Sequence, residues 1–408
     1  MIHLLTIIGA RPQIIKAAAF SRAVAAWNNA HSPEEQVVEA ILHTGQHYDD
    51  NMSAVFFREL GIPEPDYNLH VGSGSHGVQT AHMLEGIERV LVEAQKDGSP
   101  FDGVVLYGDT NSTLAGAVAA GKVHVPVFHI EAGLRSFNMA MPEEINRIVC
   151  DQLASVLFAP TDTAIGNLRN EGFVLKEEAA EAKGAAQRRH FRNGKGQYAL
   201  KSGDVMYDNA VFFAPMAEER SDILQRLQLA DKQFVLATVH RPANTDDAGN
   251  LTNIMTALAD IADSGIDVVL PLHPRTRKLL PDKMPASLLQ RIEKCPHLKL
   301  TAPVSFFEII CLERHARLVM TDSGGVQKEA FFYGTPCVIL RPETEWVEIA
   351  EAGAGIIADA DYSRIMQAYN ELSGRQVHFP PLFGDGHAAE CILDAVVSYL
   401  STATVQPA

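Results

Sequence analysis

Short apolar runs alternate with longer amphipathic stretches along nearly the whole chain, and this rhythm permits few folds. Leu4 to Ile8 precedes a helical stretch from Pro12, and Val37 to Leu42 precedes one near Asn51 to Leu60. Val104 to Tyr107 precedes Asn111 to Lys122, and Val125 to Ile130 precedes a helix from Pro142. Runs that are apolar throughout belong to strands covered on both faces. Such strands, each followed by a helix, imply a parallel sheet wrapped by helices. A second cycle starts near Gln233, with strands expected at Phe234 to Val239, Val268 to Leu272, Leu318 to Met320 and Cys337 to Leu340. The first strand of each half ends alike, in TIIGARP and LATVHRP, which suggests two related α/β units. A chain of 408 residues suits two domains. Their boundary is expected near Gly203, after a stretch from Lys176 to Tyr198 that reads as a surface insertion.

Charge narrows the function. The net charge of −16 argues against nucleic acid or an anionic membrane surface as partner, since both need a cationic footprint. No apolar run reaches the ~18–20 residues of a membrane helix, and MIHLLTIIGARP lacks the basic start and cleavage site of a signal peptide. Five scattered cysteines without a CxxC read as reduced thiols of a cytoplasmic protein. An anionic ligand would need cations gathered locally.

Ligands of open α/β sheets sit beyond the carboxyl ends of the strands. The residues there are Gly9-Ala10-Arg11-Pro12, Gly108-Asp109, Glu131-Ala132-Gly133, His240-Arg241 and Thr321-Asp322-Ser323-Gly324-Gly325. The last group joins a strand to a helix, so Ser323, Gly324 and Gly325 suit a diphosphate, with Glu329 placed to accept ribose hydroxyls. A plain N-cap by Ser323 is the competing reading. Arg11 and Lys16 supply local cations. Asp109, Glu131, Arg135, Glu143, Glu144 and Arg147 crowd one region, where carboxylates with separated pKa values can serve as acid and base. Pro142-Glu143-Glu144 also fits simple helix-start chemistry, so one of the two glutamates is expected to be structural. Gly72 to Gly77 matches GxGxxG but follows no strong strand, and His43 with His47 lacks a third metal ligand. Neither a dinucleotide site nor a metal site is expected.

The motifs GARPQIIKA, HTGQHYDDNMS, GDTNSTLAG, HIEAGLRSFN, MPEEINR, GDVMYD, TDSGGVQKEAFFYGTP and LRPETEWVE run nearly end to end. Together they resemble the non-hydrolysing UDP-N-acetylglucosamine 2-epimerase family. The HTGQHYD, SFN and TEWVE forms are similar to the branch acting on UDP-2,3-diacetamido-2,3-dideoxyglucuronate. The resemblance implies a GT-B fold, two Rossmann-like domains with an interdomain active-site cleft. It implies a first domain over 1–203 completed by a C-terminal helix in 386–408, and a UDP-binding domain over 204–385. It carries catalytic roles onto Asp109, Glu131 and Glu143, and a UDP-site role onto His240. Arg11, Lys16, Ser323, Gly324, Gly325 and Glu329 match positions that hold UDP, and Arg135 matches an arginine near the sugar. It also implies a homodimer. The chain departs from the family pattern at Gln13 and Ala243, where glutamate is common, and at Ile309, in place of an aromatic residue.

The C2 proton of an amino sugar is barely acidic, and one general base supplies only ~10²–10⁴-fold. No convincing NAD site is present, and the family resemblance implies the remaining route: elimination of UDP to a 2-acetamidoglycal and re-addition with inversion at C2, without cofactor. The alternatives are a 2-epimerase for the diacetamido uronate, a GT-B glycosyltransferase, a hydrolysing epimerase or a UDP-sugar-binding protein.

Overall fold

The computed structural model describes residues 1–45, 62–176, 191–192, 195–272 and 274–403. The chain divides into two compact units, 1–209 with 382–408, and 210–381.

The first unit is built on a seven-stranded parallel sheet. Its strands are β1 (Ile2–Ile8), β2 (Val37–His43), β3 (Tyr67–Asn68), β4 (Gly103–Tyr107), β5 (Val127–Ile130), β6 (Val156–Ala159) and β9 (Tyr198–Lys201). Between the last two lies a small antiparallel hairpin, β7 (Phe191–Arg192) with β8 (Lys195–Gly196). The order across the sheet is β3-β2-β1-β4-β5-β6-β9. Chain order reverses between β1 and β4, so their carboxyl ends flank a switch point where α/β sheets bind ligands. The central strands are buried on both faces, from Leu4 to Ile8 and from Gly103 to Tyr107. Gly103 is needed here, because a Cβ would stand 2.4 Å from the Phe128 ring.

The second unit repeats the plan in a six-stranded parallel sheet. Its strands are β10 (Phe234–Thr238), β11 (Asp267–Pro271), β12 (Leu298–Thr301), β13 (Leu318–Thr321), β14 (Cys337–Ile339) and β15 (Gly355–Ile357), in the order β12-β11-β10-β13-β14-β15. The switch point falls between β10 and β13. One face packs the helix Ala248–Asp263 through Leu251, Met255 and Leu258 into a continuous apolar cluster. The other buries Phe234, Leu236, Leu312 and Val319.

The units divide at Asn209/Ala210, inside the helix Val205–Arg220. The start of that helix is tied to the first unit. Asp208 accepts from the amides of Ala388 (3.1 Å) and Ala389 (2.7 Å), which caps the helix Ala388–Ala403. Tyr399 of this last helix meets Phe128 edge-on at 5.6 Å, so the chain's end covers the first sheet. No described helix is long and apolar enough to cross a membrane.

Five strands of the two sheets went unread in the sequence: β3, β6, β9, β12 and β15. β3, β9, β12 and β15 are short edge strands, only partly buried, so they lack the unbroken apolar run that marks the central strands. The expected helix near residues 51–60, His47 and most of the expected insertion (177–190 and 193–194) lie outside the described residues.

Candidate active site

At the first switch point, Gln13 locks the turn after β1 to the end of β4. Its Oε1 accepts from the amides of Gly9 (2.9 Å) and Ala10 (3.2 Å). Its Nε2 donates to the Tyr107 carbonyl (2.9 Å) and to Thr113 Oγ1 (3.0 Å). Glutamine here serves as acceptor at one end and donor at the other, so this departure from the family's glutamate has a structural role. The turn presents exposed Arg11 at the first helical position and Lys16 one turn further on.

Lys16 forms an ion pair with Glu131. Glu131 sits just past β5 in the left-handed region (φ 70°) and is almost fully buried. A bulky residue held at positive φ is an outlier that functional sites retain. The pair packs on Gly108 (φ 64°), where a Cβ would stand 2.9 Å from Glu131 Oε2 and 3.1 Å from Lys16 Nζ. The next residue, Asp109, pairs with Arg147. Burial opposes the charge on Arg147, but Asp109, Glu131 and Asp151 outweigh it and hold the guanidinium above its ordinary value. Glu143 lies one helical turn before Arg147 on the helix Pro142–Leu153 and is exposed, on the same face. Three predicted carboxylates and two predicted cations, Lys16 and Arg11, thus stand at the carboxyl ends of β1, β4 and β5 or on the next helix. Glu144 is the structural glutamate. Its carboxylate accepts from Ser136 N (2.9 Å), Ser136 Oγ (3.0 Å) and Phe137 N (3.0 Å).

Beneath this cluster lies a buried network that the sequence did not reveal. His129 Nε2 faces the Gly108 carbonyl at 2.8 Å and Nδ1 faces Asp151 at 2.7 Å. A carbonyl only accepts, so Nε2 carries a proton; a carboxylate at Nδ1 favours a second. Burial works against that charge, but Cys150 and Asp151 prevail, and the imidazole is pushed up to about 10. Asp151 is held below the usual carboxylate range, with burial overcome by His129 and Arg135. Arg135 donates to Asp151 (2.7 Å), to Glu171 (2.7 and 2.8 Å) and to the Leu134 carbonyl (2.7 Å). Its side chain is 1% exposed. The structure therefore gives Arg135 carboxylate partners within the fold. The only signal for His129 and Asp151 was their place in or near quoted motifs.

At the second switch point, fully buried Asp322 accepts from the amides of His240 (3.1 Å) and Arg241 (3.0 Å) and from Asn244 Nδ2 (3.1 Å). It binds the loop after β10 to the end of β13. The His240 ring is 48% exposed, with Nε2 4.0 Å from Asp322. Ala243 is exposed, and the loop is held by Asn244, which donates to Asp322 and to the Leu340 carbonyl (2.9 Å).

Ser323 caps the helix Gly324–Phe332, accepting from Val326 N at 3.5 Å. Capping leaves the free amides of the first turn, the feature an anion needs. Glu345 Oε1 lies 2.0 Å from where a Cβ on Gly324 would stand, so only glycine fits without displacing it. Arg341 donates to Glu345 at 2.7 Å. Burial favours the neutral form, but Arg341 prevails and Glu345 sits below the usual range. Glu329, half-buried on this helix, borders Glu313. Burial first, and Glu329 second, push the fully buried Glu313 carboxyl well above its ordinary value.

Among the described residues, Glu218, Cys311 and His315 bring three possible metal-ligand atoms within 4.8 Å of one another. They lie near the amino end of β13, the opposite edge from Ser323. His315 bridges Glu218 and Asp231 at 2.8 Å each, and Arg314 pairs with Glu218 at 3.0 Å. His43 is likewise used inside the fold, its Nδ1 accepting from Gly45 N at 3.0 Å. The GxGxxG match at 72–77 runs from a loop into the first two residues of the helix His76–Lys96, preceded by the two-residue β3.

The family model for UDP-N-acetylglucosamine 2-epimerase matches residues 29–397. The chain is 45% identical over 393 residues to the UDP-2,3-diacetamido-2,3-dideoxy-D-glucuronate 2-epimerase of Pseudomonas aeruginosa, covering 96% of this chain and 98% of that one. It is similar to the crystal structure of Methanocaldococcus jannaschii UDP-GlcNAc 2-epimerase in complex with UDP-GlcNAc and UDP. There the TM-score is 0.78 at 34% identity, covering 97% of this chain and 100% of that one. A GT-B glycosyltransferase, Phytolacca americana UGT2, shares the fold alone, with a TM-score of 0.60 at 11% identity over 98% and 100% of the two chains. Two doubly wound sheets of GT-B type, matched from end to end by relatives of this kind, place the chain in the UDP-N-acetylglucosamine 2-epimerase family.

Proposed function

We propose that this chain inverts C2 of a UDP-linked N-acetylamino sugar, interconverting UDP-N-acetylglucosamine and UDP-N-acetylmannosamine. The observation that carries the reading is the cluster at the first switch point. Paired Lys16–Glu131 and Arg147–Asp109 surround Gly108, with Glu143 one turn from Arg147. Carboxylates held by fixed cations are suited to moving protons on a sugar ring.

In the proposed reaction, UDP leaves C1 as one carboxylate removes the C2 proton. The resulting 2-acetamidoglycal takes UDP back at C1 and a proton at C2 on the other face. Asp109, Glu131 and Glu143 are the acid/base groups. Arg11, Lys16, His240 and the Ser323-Gly324-Gly325 turn hold the departing diphosphate, and Glu329 holds the ribose. Arg135, placed near the sugar by family resemblance, acts through the orientation of Asp151 and its neighbours. No step calls for a metal or a redox cofactor.

A second reading concerns the sugar. The 45% identity to the Pseudomonas aeruginosa enzyme, against 34% to the Methanocaldococcus jannaschii one, favours UDP-2,3-diacetamido-2,3-dideoxyglucuronate. Incubation of the protein with each UDP-sugar in D2O, read by NMR, separates the readings. C2 epimer with deuterium at C2 supports the reaction and identifies the sugar; no deuterium incorporation from either sugar sinks it. The reading also carries a cytoplasmic location and a homodimeric state, the latter checked by light scattering.

A further inference from the structure

The loop from Ser136 to Met141 is exposed from Phe137 through Ala140, polar and apolar side chains alike. Hydrogen bonds fix its backbone: Ser136 N donates to Glu144 (2.9 Å), Asn138 N to Ser136 Oγ (3.2 Å), Ala140 N to Asn138 Oδ1 (3.1 Å) and Met141 N to the Asn138 carbonyl (3.0 Å). Its apolar side chains face outward, Phe137 at 78% exposure and Met139 at 60%. Phe137 is also held at φ 58°, a conformation its Cβ disfavours. The buried carboxylate of Glu144, accepting from Phe137 N, keeps it there. Strain of this kind persists where the surroundings over-determine it, and it clusters at ligand clamps. The other strained non-glycine residue of this segment is Glu131 (φ 70°).

We propose that Phe137 contacts the sugar, its ring covering the methyl of the acetamido group, and so helps select acetamido sugars. The proposal rests on the functional reading above. The occupant follows from position: Glu144 fastens the Phe137 backbone to the same first helical turn that carries Glu143. The ring is therefore displayed at the helix start that bears a proposed acid/base group. An N-acetyl methyl is a small apolar group that an aromatic face covers well.

The test is kinetics of the full chain with the UDP-sugar, beside equilibrium binding of UDP and light scattering, for the wild type, Phe137→Ala and Phe137→Leu. Phe137→Ala should raise KM by about tenfold or more, the scale on which an apolar pocket discriminates. UDP affinity should stay within about twofold, because UDP lacks the acetamido group, and Phe137→Leu should fall between. An unchanged KM overturns the proposal, as does an equal loss of UDP affinity. A shift in oligomeric mass in both variants also overturns it, by assigning the ring to a second copy of the chain. If the wild type epimerises neither sugar, the functional reading itself fails and the proposal with it. An active wild type with an unchanged alanine variant fails the proposal alone.

Discussion

The side-chain amide of Gln13 donates to the main-chain carbonyl of Tyr107 across 2.9 Å, joining the turn after β1 to the end of β4. The same side chain accepts two amides of the turn that leads to Arg11. Gln13→Glu keeps the shape but sets a carboxylate against the Tyr107 carbonyl. It should cost about 1–3 kcal/mol, the range for leaving buried polar groups unpaired. The cost should shrink at low pH, where a protonated carboxyl donates again. Urea denaturation of both proteins at pH 5 and pH 8 checks this.

The His129 imidazole is raised to about 10 in the folded chain, above its unfolded value of about 6.5. Its stabilisation is then complete below about pH 6.5 and is lost as pH rises through about 10. The urea midpoint of the wild type should therefore decline between pH 7 and pH 10, and that decline should flatten in His129→Gln. A wild type with the same midpoint at both ends would contradict the charged imidazole.

Asp151 stands between His129 and Arg135 with no exposure. Asp151→Asn leaves two buried cations facing a neutral amide. Removal of one partner from a buried ion pair costs about 3–5 kcal/mol. A thermal unfolding midpoint unchanged from the wild type would refute the network.

Asp109→Asn, Glu131→Gln and Glu143→Gln should each lower kcat by about 10²–10⁴-fold while UDP binding persists. Asp322→Asn should do the opposite. It disturbs the loop bearing His240 and Arg241, so UDP affinity falls and residual turnover at saturation survives. Calorimetry with UDP beside steady-state kinetics separates the two classes.

Gly108→Ala should be damaging despite its small size. The new Cβ meets Glu131 and Lys16, and φ 64° suits glycine. A displacement of about 1 Å in such a cluster is worth roughly 10²-fold in rate. Activity near the wild-type level would show that the Lys16–Glu131 pair tolerates movement.

Much of this was legible in the chain because the relevant signals are local. The buried strands Leu4 to Ile8 and Val104 to Tyr107 announce themselves as unbroken apolar runs, and strand-end glycines mark Gly108 and Gly324. Short edge strands such as β12 and β15 escaped, since they are only partly buried and carry no unbroken apolar run.

The sequence by itself determined the parallel α/β class, the twofold repetition and the strand-end positions of Asp109, Glu131 and Ser323, because these follow from apolar periodicity and turn chemistry along the chain. Only the tertiary structure decided the partners. It gave Glu131 to Lys16, Asp109 to Arg147, Arg135 to Asp151 and Glu171, and the Gly324 niche to Glu345. Such pairings join residues 16 to 115 positions apart, and packing selects them from many charge matches that the sequence leaves open.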